Sequence, residues 1–82
     1  MIFPIGNFMT AQKVGSIVRQ ARLAQGLRQD QLAAAAGVGV RFLVELEAGK
    51  PTVRLAKVLA VLDALGLRLQ IASPAVLPGS NS

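Results

Sequence analysis

The residues best suited to chemistry in this chain fall in one run, Gln29–Gly49, which reads QDQLAAAAGVGVRFLVELEAG. Its pattern predicts two short helices, Gln29–Ala36 and Val40–Ala48, around a tight turn at Gly37-Val38-Gly39. Leu32, Ala33, Leu43 and Leu46 are spaced to lock the pair together through apolar contact. A compact helix pair of this kind can present its second helix to the major groove of DNA. Catalysis is a poor alternative. The chain has no histidine and no cysteine, which removes the commonest general base, metal ligand and thiol nucleophile. Asp30, Glu45, Glu47 and Asp63 show no spacing that suggests a paired acid and base, and Ser16 sits on a predicted helix without a base nearby. The expectation is no enzyme, no metal and no cofactor.

Eighty-two residues make one small domain, rich in Ala, Val and Leu and poor in aromatics. That composition favours close-packed short helices, and the size leaves room for dimerisation to supply missing core. Nine Lys/Arg against four Asp/Glu give a formal charge of +5. An excess of that size hints at a polyanionic partner, although a solvated basic surface is the plainer explanation. Leu55–Leu69 is hydrophobic, but Lys57, Asp63 and Arg68 interrupt it, so no membrane span is expected. The opening MIFPIGNF has no basic residue ahead of its apolar ones, which argues against a signal peptide and leaves a cytoplasmic protein as the default.

The elements around the helix pair can be read in order. Residues 1–9, with Pro4, Gly6 and Asn7, suggest an extended arm whose Ile2, Phe3, Ile5 and Phe8 are too apolar for a solvated tail. Thr10 can cap a first helix running to about Gln25, with Val14, Ile17, Val18, Ala21 and Ala24 as its buried stripe and Gly26 as its stop. Arg28 and Gly39 are weak caps for the next two helices, and Gly49 with Pro51 ends the third. A fourth helix is expected over Val53–Leu65, with Thr52 as cap and Leu55, Val58, Leu59, Leu62 and Leu65 on its apolar face. After Gly66, the alternation Leu67-Arg68-Leu69-Gln70-Ile71 reads as a strand. A lone strand needs a partner, most simply the same strand of a second subunit. Residues 73–82 are Pro/Gly/Ser-rich and read as a tail.

The stretch Val14–Leu67 resembles the Xre-type, phage-repressor-like helix-turn-helix domain. The resemblance rests on Arg22, Gly26, Leu27, Gln29, Leu32-Ala33, Ala36-Gly37-Val38, Leu43, Leu46-Glu47, Gly49 and Leu62-Leu65-Gly66, over about two thirds of the chain. Within that class it is most similar to the HipB-like antitoxins of type II toxin–antitoxin systems, on Glu47–Val53, on VLAVLDALGL at Val58–Leu67 and on the terminal strand. Two departures stand out: Arg28 and Gly39 replace the usual Ser or Thr caps, and Pro74–Ser82 lacks an aromatic anchor for a toxin pocket.

The resemblance implies a mainly α fold, a four-to-five-helix phage-repressor-like domain over residues 10–66, with one C-terminal β-strand at 67–72 paired across a homodimer. It implies base contacts from Val40, Arg41 and Glu45. Arg41 can bond bidentately to guanine, Val40 can meet a thymine methyl, and Glu45 either accepts from a cytosine amino group or pairs with Arg41 at i,i+4. Phosphate contacts are expected from Arg28, Gln29, Lys50 and Arg54, with Arg19 a weaker candidate. Arg22 and Glu47 resemble a structural ion pair between the first and third helices. Phe42 is expected to pack inward more than Val44. Leu67, Leu69 and Ile71 would carry dimerisation. The implied function is a DNA-binding repressor on a palindromic operator, an antitoxin that also holds a HipA-like serine/threonine kinase. The alternative is a stand-alone Xre-type regulator with no toxin partner.

Overall fold

The computed structural model describes residues 9–70 and shows four helices there: α1 Ala11–Ala24, α2 Gln29–Ala36, α3 Val40–Glu47 and α4 Leu55–Ala64. The arm at 1–8, Ile71, Ala72 and the tail at 73–82 lie outside the described residues.

Each helix forms for a local reason. Thr10 caps α1 by accepting from the Lys13 amide at 3.1 Å. Arg28 caps α2 badly with its side chain, so Gln31 acts instead: its Oε1 accepts from the Arg28 amide at 2.9 Å. All four helices stop by the same device, in which an amide bonds back to the carbonyl five residues earlier. These bonds are Leu27 to Arg22, Val38 to Ala33, Lys50 to Glu45 and Leu67 to Leu62, at 2.8 to 3.1 Å. At Gly37, φ of 72° is the left-handed conformation that lets the chain turn sharply into α3. The turn between α2 and α3 is therefore short because glycine permits it.

The core gathers Val18 of α1, Leu32 and Ala33 of α2, Leu43 and Leu46 of α3, and Val58, Val61, Leu62 and Leu65 at α4. Burying each large aliphatic side chain contributes about 1.5–3 kcal/mol, so these few contacts dominate what holds α2 and α3 in register. α1 packs on α3, and α2 packs on both α3 and α4. The closest approach is at Gly15, whose missing side chain lets α1 lie directly on the Leu46 and Glu47 carbonyls.

Several expectations need correction. Ile17 and Ala24 are exposed, so the stripe of α1 narrows to Val14, Val18 and Ala21 with Gly15 and Arg22. Helix α4 begins at Leu55, because Pro51 and Thr52 bend the chain and Arg54 remains extended with ψ of 125°. Arg54, not Thr52, occupies the cap position. The face of α4 is rotated: Leu55 and Leu59 are exposed, while Val61 is fully buried. The strand expected over 67–72 is described only at 67–70, which form no strand in the single chain, while 71–72 lie outside the described residues; Leu67 packs against the core and Leu69 is half exposed.

Candidate nucleic-acid interface

Arg22, at the last turn of α1, reaches Glu47 at the last turn of α3. Its Nε donates to Oε2 at 2.7 Å and its Nη2 to Oε1 at 3.0 Å, a bidentate pair with side chains only 9% and 4% exposed. The remaining Nη1 donates to the Leu27 carbonyl at 2.8 Å, which ties the α1–α2 turn to the same point. Glu47 hydrogen bonding holds the guanidinium pKa above its ordinary value, against the opposing pull of burial. No buried side-chain nitrogen or oxygen among the described residues lacks a partner, so the cost of burying this pair is offset by full satisfaction.

The first residue of α2 joins this network. Gln29 Nε2 donates to Glu47 Oε1 at 3.2 Å, which fixes the half-exposed amide at the N-terminal end of α2. Beside it, Arg28 forms an exposed pair with Asp30, Nε to Oδ1 at 3.0 Å. That hydrogen bond from Arg28 holds the Asp30 carboxyl below its usual range.

On α3, Arg41 has 90% of its side chain exposed and Val40 is half exposed. Glu45 lies between two cations, with Arg41 Nε at 3.7 Å and Lys50 Nζ at 3.3 Å. The carboxylate therefore links Arg41 in the first turn of α3 to Lys50 just past its last turn in the free protein. Phe42 packs against the core with Lys57 Nζ 5.6 Å above its ring centre, while Val44 is exposed.

The structure thus links Gln29 to Glu47, and Arg41, Glu45 and Lys50 to one another. Arg54 stands apart at the start of α4, exposed and without an ion pair among the described residues. Leu67 and Leu69 line a groove together with Val14 and Ile17 of α1 and Leu55, Val58 and Leu62 of α4. Two ties escape the sequence reading. One is the Gln29–Glu47 bond, for which a lone glutamine gives no signal. The other is Gln25 Nε2 donating to the Leu65 carbonyl at 2.9 Å, which satisfies the end of α4 from α1. Gly15 did carry a signal: a glycine between Val14 and Val18 weakens a helix unless a neighbour comes close. Among the described residues no cluster of His, Cys, Asp or Glu is placed to hold a metal ion.

Comparison with known proteins places this geometry. The helix-turn-helix family model HTH_3 matches residues 18–71. An uncharacterized HTH-type transcriptional regulator of Sinorhizobium fredii, y4mF, is 54% identical over 65 residues, covering 79% of this chain and 86% of the relative. Among solved structures, a chain of the HipA-HipB-O2-O3 complex superimposes with a TM-score of 0.74 at 16% identity, covering 85% of this chain and 99% of that one. At that identity the likeness is one of fold.

Proposed function

The chain belongs to the HTH_3 helix-turn-helix family, the Xre-type transcriptional regulators, and from that premise we propose that it is a sequence-specific repressor that binds a palindromic operator as a homodimer. The observation that carries the proposal is the exposed first turn of α3, where Arg41 has 90% of its side chain in solvent on a helix anchored by the buried Leu43 and Leu46. In this reading α3 enters the major groove, with Arg41, Val40 and Glu45 reaching base edges. Arg28, Gln29, Lys50 and Arg54 contact phosphates and set the register. Two subunits joined through Leu67, Leu69 and Ile71 place their α3 helices on half-sites about 34–36 Å apart.

The finer reading is a HipB-like antitoxin that represses its own operon and binds a HipA-like serine/threonine kinase. Its support is the fold shared with a chain of the HipA-HipB-O2-O3 complex over nearly the whole of that chain. The second reading, a stand-alone Xre-type regulator with no toxin partner, draws on the relative at 54% identity, whose name is that of an HTH-type transcriptional regulator.

The test is a titration of the full chain against its own upstream DNA across a salt series. Steep loss of affinity with salt and strong preference over scrambled DNA are expected. Equal binding to both DNAs would count against a repressor. Co-expression with any kinase encoded alongside separates the two readings, since only an antitoxin should hold it through purification. A chain with Leu69→Lys should be monomeric if the strand pairs across the dimer; an unchanged dimer would remove the strand from the interface.

A further inference from the structure

Glu45 engages both of its carboxylate oxygens with cations that the repressor reading assigns to DNA. Oε1 accepts from Lys50 Nζ at 3.3 Å, and Oε2 lies 3.7 Å from Arg41 Nε. Of the two carboxylates on α3, Glu47 is buried against Arg22, so Glu45 alone stands beside the proposed contacts of that helix. Asp30 pairs with Arg28 in a similar way, but its side chain is 59% exposed against 34% for Glu45. Solvent therefore screens the Glu45 charge less than the Asp30 charge.

We propose that Glu45 sets specificity by competing with DNA phosphates for Arg41 and Lys50, a role that rests on the repressor reading above. Any duplex must first draw the two cations away from the carboxylate. It then leaves that carboxylate facing a negatively charged backbone. On the operator, a cytosine amino group offers Glu45 a replacement donor. Other sequences put no such donor in place, and the negative charge stays uncompensated among phosphates. The loss falls mainly on non-specific binding. Specificity is a difference of affinities, so a residue that weakens the wrong complex more than the right one sharpens recognition. Exposed ion pairs are individually weak, which limits the effect to several-fold.

Glu45→Gln removes the charge and keeps the size of the side chain. The full chain and this variant are titrated against the protein's own upstream DNA and a scrambled duplex across a salt series. Asp63→Asn, at an exposed site on α4 outside the proposed contacts, makes the same change in net charge. Glu45→Gln should bind scrambled DNA several-fold more tightly, with a salt slope steeper by about 1–2. Its affinity for upstream DNA should rise less or fall, so the ratio of the two drops. Asp63→Asn should keep the parental ratio. Unchanged affinity of Glu45→Gln for scrambled DNA would overturn the proposal. So would an equal gain on both duplexes, or an equal drop in the ratio with Asp63→Asn, which would make net charge the cause. The repressor reading fails separately, when the parent itself binds both duplexes alike; the scrambled duplex reads the competition with phosphate in either case.

Discussion

The side-chain amide of Gln29 donates to Glu47 Oε1 at 3.2 Å, and the same oxygen accepts from Arg22 Nη2 at 3.0 Å. A residue proposed to touch phosphate is thus held by the buried ion pair between α1 and α3. One N–H of the amide is committed to Glu47, and the other, with the carbonyl, stays available at the start of α2. The structural role and the proposed phosphate contact are therefore coupled through one carboxylate.

That coupling is separable by mutation. Glu47→Ala leaves the Arg22 guanidinium buried without its counter-charge and should cost about 3–5 kcal/mol in chemical denaturation. Replacing both partners with apolar residues, Arg22→Met with Glu47→Leu, should recover most of that stability, because neither charge is then stranded. The double variant should still bind operator DNA more weakly than the parent, since Gln29 has lost its tether. Parental affinity in the double variant would show that the tether does not matter for binding.

On α3 the two cations around Glu45 should behave differently. Arg41→Ala should lose about 1–3 kcal/mol of discrimination at one base position. Lys50→Ala should weaken all sequences alike and reduce the salt slope by about 1. A titration of each variant against single-base operator substitutions resolves the two. If Arg41→Ala kept full discrimination, the recognition role of α3 would have to be reassigned.

The helices were legible because their signals are local. Thr10, Gly26, Gly37, Gly49 and Gly66 mark starts and stops that depend on a few neighbouring residues. Apolar spacing found Leu32, Ala33, Leu43 and Leu46 in the core. What failed was rotational detail. Helix α4 is apolar nearly all round, so its pattern allowed Leu55 and Leu59 inward, whereas packing on α2 chose Val58, Val61 and Leu62. The alternation at 67–71 marks a strand only if a partner exists; in the single chain Leu67 donates its amide to Leu62 and closes α4, and Ile71 lies outside the described residues. In the candidate site the residue types were readable, but the bond joining Gln29 to Glu47 depends on tertiary geometry.

Arg28 is a poor cap retained at a position proposed to meet phosphate, which predicts a trade-off. Arg28→Ser supplies an acceptor for the α2 amides and should stabilise the domain by about 0.5–1 kcal/mol. The same change should lower DNA affinity and the salt slope together. Thermal melting and a binding titration on the one variant measure both. A gain in stability with unchanged affinity would remove Arg28 from the phosphate contacts.

The Arg28–Asp30 pair also sets a pH dependence. Asp30 is held below its ordinary value of 3.8, first by the hydrogen bond from Arg28, against the opposing effect of desolvation. Because the folded carboxyl is the stronger acid, its contribution is present above the ordinary value and is lost as pH falls through the folded one. In Arg28→Ser, the Asp30 titration followed by NMR should move up toward the ordinary value, and acid unfolding should begin at higher pH. The exposure of the pair makes the effect small and weakened by salt.

Gly15 offers the sharpest test of the packing. A methyl group there would strike the Leu46 and Glu47 carbonyls, which belong to the backbone and cannot swing aside. Gly15→Ala removes a helix-weakening glycine, worth about 0.5–1 kcal/mol in an open position. The forced separation of α1 from α3 should cost more, about 1–3 kcal/mol for overpacking, and should also loosen the Arg22–Glu47 pair. The net result is a lower Tm, by about 4–8 °C for each kcal/mol lost. Gly39→Ser provides the opposite sign: nothing lies within 4 Å of its missing side chain, and serine is a better cap for α3. A Gly15→Ala protein melting at or above the parent would mean that α1 and α3 can move apart freely, and that their close contact does not fix the position of α3.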